Sequence, residues 1–294
     1  MANSARHVVI IHGLGSKPPK EKLAQRYHKY LSEGVGVETP KDRLHLVYWA
    51  DLMGYEPDGP ARDEYKESAW NFKEYSLLEE IKFRGRGFVR SLAVEHIEKV
   101  IENYLLKPDD SSVKNIATEL SGRALDIVSE RIYSRFLPDL HRYFNEGKRA
   151  LVKNRLSEGL NGVASDAKVC LIAHSMGSII ALDLICSGTR MIDLFVTIGS
   201  PLGIGVVQSQ IGIDDEAKKG ALPDKIGDWF NFFDRLDVVA LDSDLEDDFP
   251  QIGPLDVRIK NEFINKDGDR NHHKSYGYLR AKELGSVVGP FLAG

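Results

Sequence analysis

Two cysteines in 294 residues leave no room for a disulfide framework. Cys170 and Cys186 each sit in an apolar run, which predicts two buried thiols and a reducing compartment. Long hydrophobic runs are missing as well. A bilayer span takes roughly 20 consecutive apolar residues, and no stretch approaches that length. The first apolar run covers only Val8 to Ile11, too short for the core of a signal peptide. These absences together predict a cytoplasmic protein. A strong charge of one sign is also lacking. The net charge is -5 and the basic clusters are short, so there is no electrostatic basis for binding nucleic acid. Internal repeats and low-complexity tracts are absent too. What is present is a soluble globular composition, 42% hydrophobic and 28% charged, long enough to bury a large core.

The apolar pattern alternates between strand and helix. Residues 6–12 form a buried strand running into His-Gly-Leu-Gly, residues 20–32 a helix with Leu23, Tyr27, Tyr30 and Leu31 on one side, and residues 44–49 a second strand. Strand, helix, strand predicts an α/β class with a mostly parallel central sheet flanked by helices. From Asp51 to Leu137 the alternation stops. Residues 88–106 and 112–136 read instead as amphipathic helices, so 51–137 is expected to be a mostly helical insertion, a cap or lid. Their apolar faces suit packing on the core, covering an acyl chain or contact with a membrane surface. Pro138 is expected to open a further helix ending near Gly159 to Gly162. Alternation then resumes with strand 168–173, helix 176–186, strands 193–198, 228–233 and 256–264, and a C-terminal helix. The core is thus 1–50 with 138–294. The acidic stretch 242–248 reads as a solvated loop, because it lacks the ligand spacing of a calcium loop.

The chemistry concentrates in VCLIAHSMGSIIAL, residues 169–182. Here an apolar strand stops at His174 and Ser175, crosses Gly177, and becomes an apolar helix. A serine hydroxyl attacks a carbonyl only if a base takes its proton and donors stabilise the resulting oxyanion. A sharp strand-to-helix turn lifts the hydroxyl from the sheet and directs the first N–H groups of the helix at the reacting carbonyl. It tolerates only small residues beside the serine, and Ala173 and Gly177 occupy those places. Ser175 is the candidate nucleophile, and the N–H of Met176 a candidate oxyanion donor. A structural turn with an incidental serine is the plainer reading of the same residues.

His12-Gly13-Leu14-Gly15 follows the first strand. It lacks the third glycine of a dinucleotide fingerprint, and Lys17 does not complete a phosphate-binding loop. Beside a nucleophile turn, its glycines let the backbone approach a substrate, with the Leu14 N–H as second oxyanion donor. Losing one such donor costs about 3 kcal/mol of transition-state stabilisation.

His12 to Gly15, Ala173 to Gly177 and Thr197-Ile198-Gly199-Ser200-Pro201-Leu202 together resemble the α/β-hydrolase superfamily, in its lipase-like serine esterase branch. The resemblance covers about residues 6–50 and 138–285. Alanine at 173, where the usual pattern has glycine, is a mild departure. The resemblance implies an α/β-hydrolase fold with a lid-like insertion and a triad in the order Ser, acid, His. The acid is then expected after strand 228–233, where Asp234 and Asp237 stand. Asp237-Val238-Val239 matches the family pattern, with Asp234 in reserve; Asp237 also suits a helix N-cap. The base is expected in Asn271-His272-His273-Lys274-Ser275-Tyr276. The family's His, two residues, then Tyr selects His273, with His272 in reserve.

His174 is expected to support its neighbours, and His7, His28, His45, His96 and His141 to pack or face solvent. No metal or organic cofactor is implied, because His272 and His273 lack a third ligand at metal-binding spacing. The implied activity is cleavage of a small-molecule carboxylic ester, including acyl or lipid esters. Thioesterase or amidase action uses the same machinery, and a non-catalytic binding or scaffold role on this fold is the rival class. Nothing in the sequence sets an oligomeric state.

Overall fold

The computed structural model describes residues 4–57, 127–213, 224–237, 239–240, 245–249, 254–261, 263 and 271–294, the side chains of 127–135 excepted. Their centre is a six-stranded sheet. Its strands are β1 (Arg6–Ile11), β2 (Leu44–Val47), β3 (Lys168–His174), β4 (Ile192–Ile198), β5 (Ile226–Phe233) and β6 (Leu255–Arg258). They lie in the order β2-β1-β3-β4-β5-β6, and every pairing is parallel. Parallel neighbours need crossover connections, which here carry α1 (Lys20–Val35), α2 (Ile127–Asn145), α3 (Lys148–Asn161) and α4 (Met176–Ser187). Three further helices are short: α5 (Gly205–Gln210), α6 (Leu245–Asp248) and α7 (Ser275–Arg280). The last, α8 (Lys282–Ala293), closes the chain.

The sheet is covered on both faces, which explains why its strands read as continuous apolar runs. Successive side chains point to opposite faces. Val8, Ile10, Cys170 and Ile172 pack with Leu23, Tyr27, Leu31, Tyr278 and Leu284 from α1, α7 and α8. Val9, Ile11, Val169 and Leu171 pack with Leu140, Leu156, Ile179 and Leu182 from α2, α3 and α4. Each such side chain contributes about 1.5–3 kcal/mol through burial.

Helix α4 is buried from Met176 to Ile185, including Asp183. The Asp183 carboxylate accepts bonds from Arg149 Nε and Nη2 at 2.7 and 2.8 Å, Lys153 Nζ at 2.9 Å and Tyr143 Oη at 2.6 Å. Burial works to raise its pKa, but Arg149, Tyr143 and Lys153 outweigh that and hold it below the usual carboxylate value. This ion cluster ties α2 and α3 to the helix that follows Ser175.

The strand order places the site. After β1 the chain goes outward to β2, then returns past β1 to β3. The carboxyl ends of β1 and β3 therefore flank the point where the winding reverses, the usual crevice of an open parallel sheet.

Several boundaries differ from those expected. Helix α1 extends to Val35, where Gly36 stops it with a left-handed φ of 83° and an N–H bonded to Ser32 O. Pro138 does not open a helix. It lies inside α2, whose break comes later at Gly147 (φ 72°). The burial of Phe136, Leu137, Leu140 and Tyr143 offsets the backbone bond that the proline removes. Strand β6 ends at Arg258, short of residue 264. Ile259 N–H still reaches Phe233 O, but Asp234 Oδ2 captures the Asn261 N–H at 2.6 Å and pulls the chain from the ladder. Residues 245–248 are one helical turn rather than solvated loop, since Leu245 is buried in the core. The C-terminal helix is two helices, parted at Ala281, which is extended (φ -61°, ψ 132°). The helix expected over 88–106 and most of that over 112–136, and with them the lid, lie outside the described residues.

Candidate active site

Ser175 caps α4 with φ 54° and ψ -128°, the one positive φ at a non-glycine residue among those described. Such a conformation costs on the order of 1–3 kcal/mol and persists only where its surroundings enforce it. Here the enforcement is visible. Ser175 N–H donates to Ile198 O at 3.1 Å, and Ser175 O accepts both the Ser178 N–H at 2.8 Å and the Ser178 hydroxyl at 2.6 Å. A methyl group on Gly177 would lie 2.8 Å from His12 O and 2.9 Å from Ile11 O, so only glycine lets α4 start this close to β1.

The serine hydroxyl meets a histidine. His273 Nε2 lies 2.9 Å from Ser175 Oγ, and His273 Nδ1 lies 2.9 Å from each oxygen of Asp237. An acceptor-only carboxylate fixes the proton on Nδ1 and leaves the Nε2 lone pair facing the hydroxyl. Asp237 is 1% exposed. Its burial works to raise its pKa, but the charge and hydrogen bond of His273, the Tyr278 hydroxyl and the Val239 N–H outweigh it and hold the carboxyl below its usual value. The cap-like geometry foreseen for Asp237 is present too, as Oδ1 accepts the Val239 N–H at 2.9 Å. Gly199, with φ 53°, makes room for this pair: a methyl group there would lie 2.7 Å from Asp237 Oδ2.

Asp234 and His272 pair with each other instead. His272 Nδ1 lies 3.1 Å from Asp234 Oδ2, and His272 makes no hydrogen bond to Ser175. This second pair braces the loop that carries His273. Asn261 Nδ2 donates to the carbonyls of His272 and Lys274 at 2.7 and 2.9 Å, and His174 Nε2 donates to that of His273 at 2.8 Å. Three consecutive carbonyls are thus held by side chains. His174 has a pKa well below its usual value through burial and the neighbouring His273, so it acts as a neutral brace.

The His12–Gly15 turn lies against Ser175. A methyl group on Gly13 would fall 2.7 Å from His174 Nδ1 and 2.9 Å from Ser175 Cβ. His12 is sandwiched in place: Nε2 accepts the Trp49 N–H at 3.0 Å, Nδ1 donates to Gly13 O at 2.6 Å, and its ring stacks on Trp49. Burial, then Lys17, lowers its pKa well below the usual value, which matches this neutral tautomer. Among the described residues neither Leu14 N–H nor Met176 N–H has an acceptor. Two donors are therefore left unused, one on the residue after Ser175 and one in the turn that Gly13 holds against Ser175 Cβ. The arrangement can deprotonate Ser175 and stabilise negative charge on an attacked carbonyl oxygen.

Sequence reading missed Tyr278, Asn261 and Ser178. The family spacing pointed to Tyr276, but that ring is buried against Tyr27 and Tyr30, and the Tyr278 hydroxyl reaches Asp237. Tyr278 and Asn261 carry no local signal, because their partners are distant in the chain, whereas Ser178 stands three positions after Ser175 on the helix that it opens. Among the described residues no group of three or more His, Cys, Asp and Glu could hold a metal, and no helix is long and apolar enough to cross a membrane. No protein-family model, no curated protein and no solved structure matches the chain.

Proposed function

We propose that this chain is a serine hydrolase of the lipase-like branch of the α/β-hydrolase superfamily, acting on a carboxylic ester. The observation that carries the reading is the unbroken relay from Ser175 Oγ through His273 to Asp237. The order Ser, Asp, His, each after a later parallel strand, supports the family. Both cysteines are free thiols, which fits the cytoplasm.

In the first step Ser175 Oγ attacks the acyl carbon while its proton passes to His273 Nε2. Asp237 stabilises the imidazolium, and the Leu14 and Met176 N–H groups hold the oxyanion. Collapse expels the alcohol, which takes the proton from His273, and leaves an acyl-serine. Water then attacks, giving its proton to His273, and the acid departs as Ser175 recovers the proton. No cofactor enters these steps.

The test is intact-mass labelling with a fluorophosphonate, which reports nucleophile activation without the natural substrate. One adduct is expected on the wild type, and none on Ser175→Ala or His273→Ala. His272→Ala should still label, because its ring braces the loop and does not touch Ser175. An unlabelled, folded wild type sinks the proposal. Labelling that persists in Ser175→Ala moves the nucleophile elsewhere.

A further inference from the structure

The turn that carries Leu14 is pinned from outside itself. Its peptide planes can be read one at a time. In the Gly13–Leu14 peptide the carbonyl is held by His12 Nδ1, leaving the opposed Leu14 N–H free. In the Leu14–Gly15 peptide both ends are held. The carbonyl accepts from Lys17 Nζ, and the Gly15 N–H donates to Asp139 Oδ2 at 3.3 Å. Gly15 has φ 81°, a glycine conformation with little steric barrier to rearrangement, so these side-chain bonds are what hold the plane.

Asp139 is an unusual choice for a structural acceptor. It is fully buried, on α2. Its Oδ1 accepts the Tyr55 hydroxyl at 2.6 Å, and Arg142 approaches only to 3.5 Å. Asp183, in the ion cluster of α4, has its carboxyl held below the ordinary value by its partners. At Asp139 burial wins: the pKa is raised despite Tyr55, Arg142, the Gly15 N–H and Lys17. A buried carboxylate whose partners do not compensate its burial costs stability, and such groups concentrate at functional sites.

We propose that Asp139, oriented by Tyr55, is a positioning residue that fixes the Leu14–Gly15 peptide and so sets the oxyanion donor on that side of Ser175. This deepens the hydrolase reading and rests on it for its catalytic consequence. The geometric claim stands on the Gly15 bond alone. Asp139 touches neither the reacting atoms nor the nucleophile. It acts through the backbone, where a misplacement of about 1 Å costs up to about 100-fold in rate.

The experiment compares full-length wild type, Asp139→Ala, Asp139→Asn and Tyr55→Phe. Hydrolysis of 4-nitrophenyl butyrate is measured together with inhibition by phenylboronic acid, whose serine adduct mimics the tetrahedral intermediate. In Asp139→Ala, kcat is expected to fall about 10- to 100-fold with KM nearly unchanged, and the boronate Ki to rise by the same factor. Asp139→Asn keeps a carbonyl acceptor and should recover most of the loss. A folded Asp139→Ala with kcat and boronate Ki within about twofold of wild type overturns the proposal. If Asp139→Ala does not fold, Tyr55→Phe decides by the same criterion. Amide exchange separates the two readings. Gly15 exchange should be at least about tenfold faster in Asp139→Ala, whether or not the wild type hydrolyses esters. An inactive wild type with that acceleration defeats the hydrolase reading only; unchanged Gly15 exchange defeats the brace.

Discussion

The Tyr278 hydroxyl donates to Asp237 Oδ2 at 2.7 Å and accepts the Asp234 N–H at 3.0 Å. One phenol thus joins the acid of the Ser175 relay to the acid that braces the neighbouring His272. Burial and the two carboxylates raise its pKa well above the ordinary value, so it remains a donor at any working pH.

Tyr278→Phe removes a charge-assisted bond to Asp237 and strands the buried Asp234 N–H. The expected loss of stability is about 1.5–3 kcal/mol. Activity should fall as well, because Asp237 loses one of the donors that keep it ionised. Denaturant unfolding and ester hydrolysis, measured together, check this. A variant as stable and as active as wild type means that Tyr278 only fills space.

Gly13→Ala places a methyl group 2.9 Å from Ser175 Cβ and 2.7 Å from His174 Nδ1. Neither neighbour can retreat without disturbing Ser175 or the loop of His273. A crowded insertion of this kind costs about 1–3 kcal/mol. The larger effect should fall on kcat, by about 100-fold, since the reacting groups themselves must shift. Equal kcat in a folded Gly13→Ala protein contradicts the close approach of the two turns.

Acid sensitivity should begin above the carboxylate range. His12 and His174 have folded-state pKa values well below the model-peptide value of 6.5, mainly through burial. Their stability contribution is complete above 6.5 and is lost as pH falls through it, because only the unfolded chain takes up the proton. Each adds a slope of about 1.4 kcal/mol per pH unit at most. Asp183 and Asp237, with depressed carboxyl pKa values, add a further loss only below the usual carboxylate value of 3.8. Melting temperature should therefore fall from about pH 7 to about pH 5, and His174→Gln, which keeps a donor to His273 O, should flatten the slope. A His174→Gln profile with the same slope as wild type over that interval shows that His174 is not held neutral.

The α/β class, the positions of the first five strands and the turn at Ser175 were legible because each depends on a contiguous pattern. Val8 to Ile11 and Val169 to Ala173 are apolar throughout because both faces of the sheet are covered. Gly177 is small because the end of β1 leaves no room for a side chain. Pro138 misled, because the buried residues around it outweigh the one backbone bond a proline removes.

The sequence by itself determined the candidates for the relay: one serine, two aspartates and two histidines. It did not determine their pairing. Asp234 and Asp237 are both followed by residues they can cap, and His272 and His273 are neighbours. Tertiary structure decided between them, because the all-parallel order puts the carboxyl ends of β3, β5 and β6 along the same edge of the sheet and the α7 loop turns one imidazole toward Ser175 and the other toward Asp234. The same holds for Asp139. Its link to Gly15 spans 124 positions and exists only once α2 packs against the turn after β1. Local pattern encodes elements, since hydrogen bonding and burial repeat along the chain. Contacts between loops encode the site, and they appear only when the core has brought the loops together.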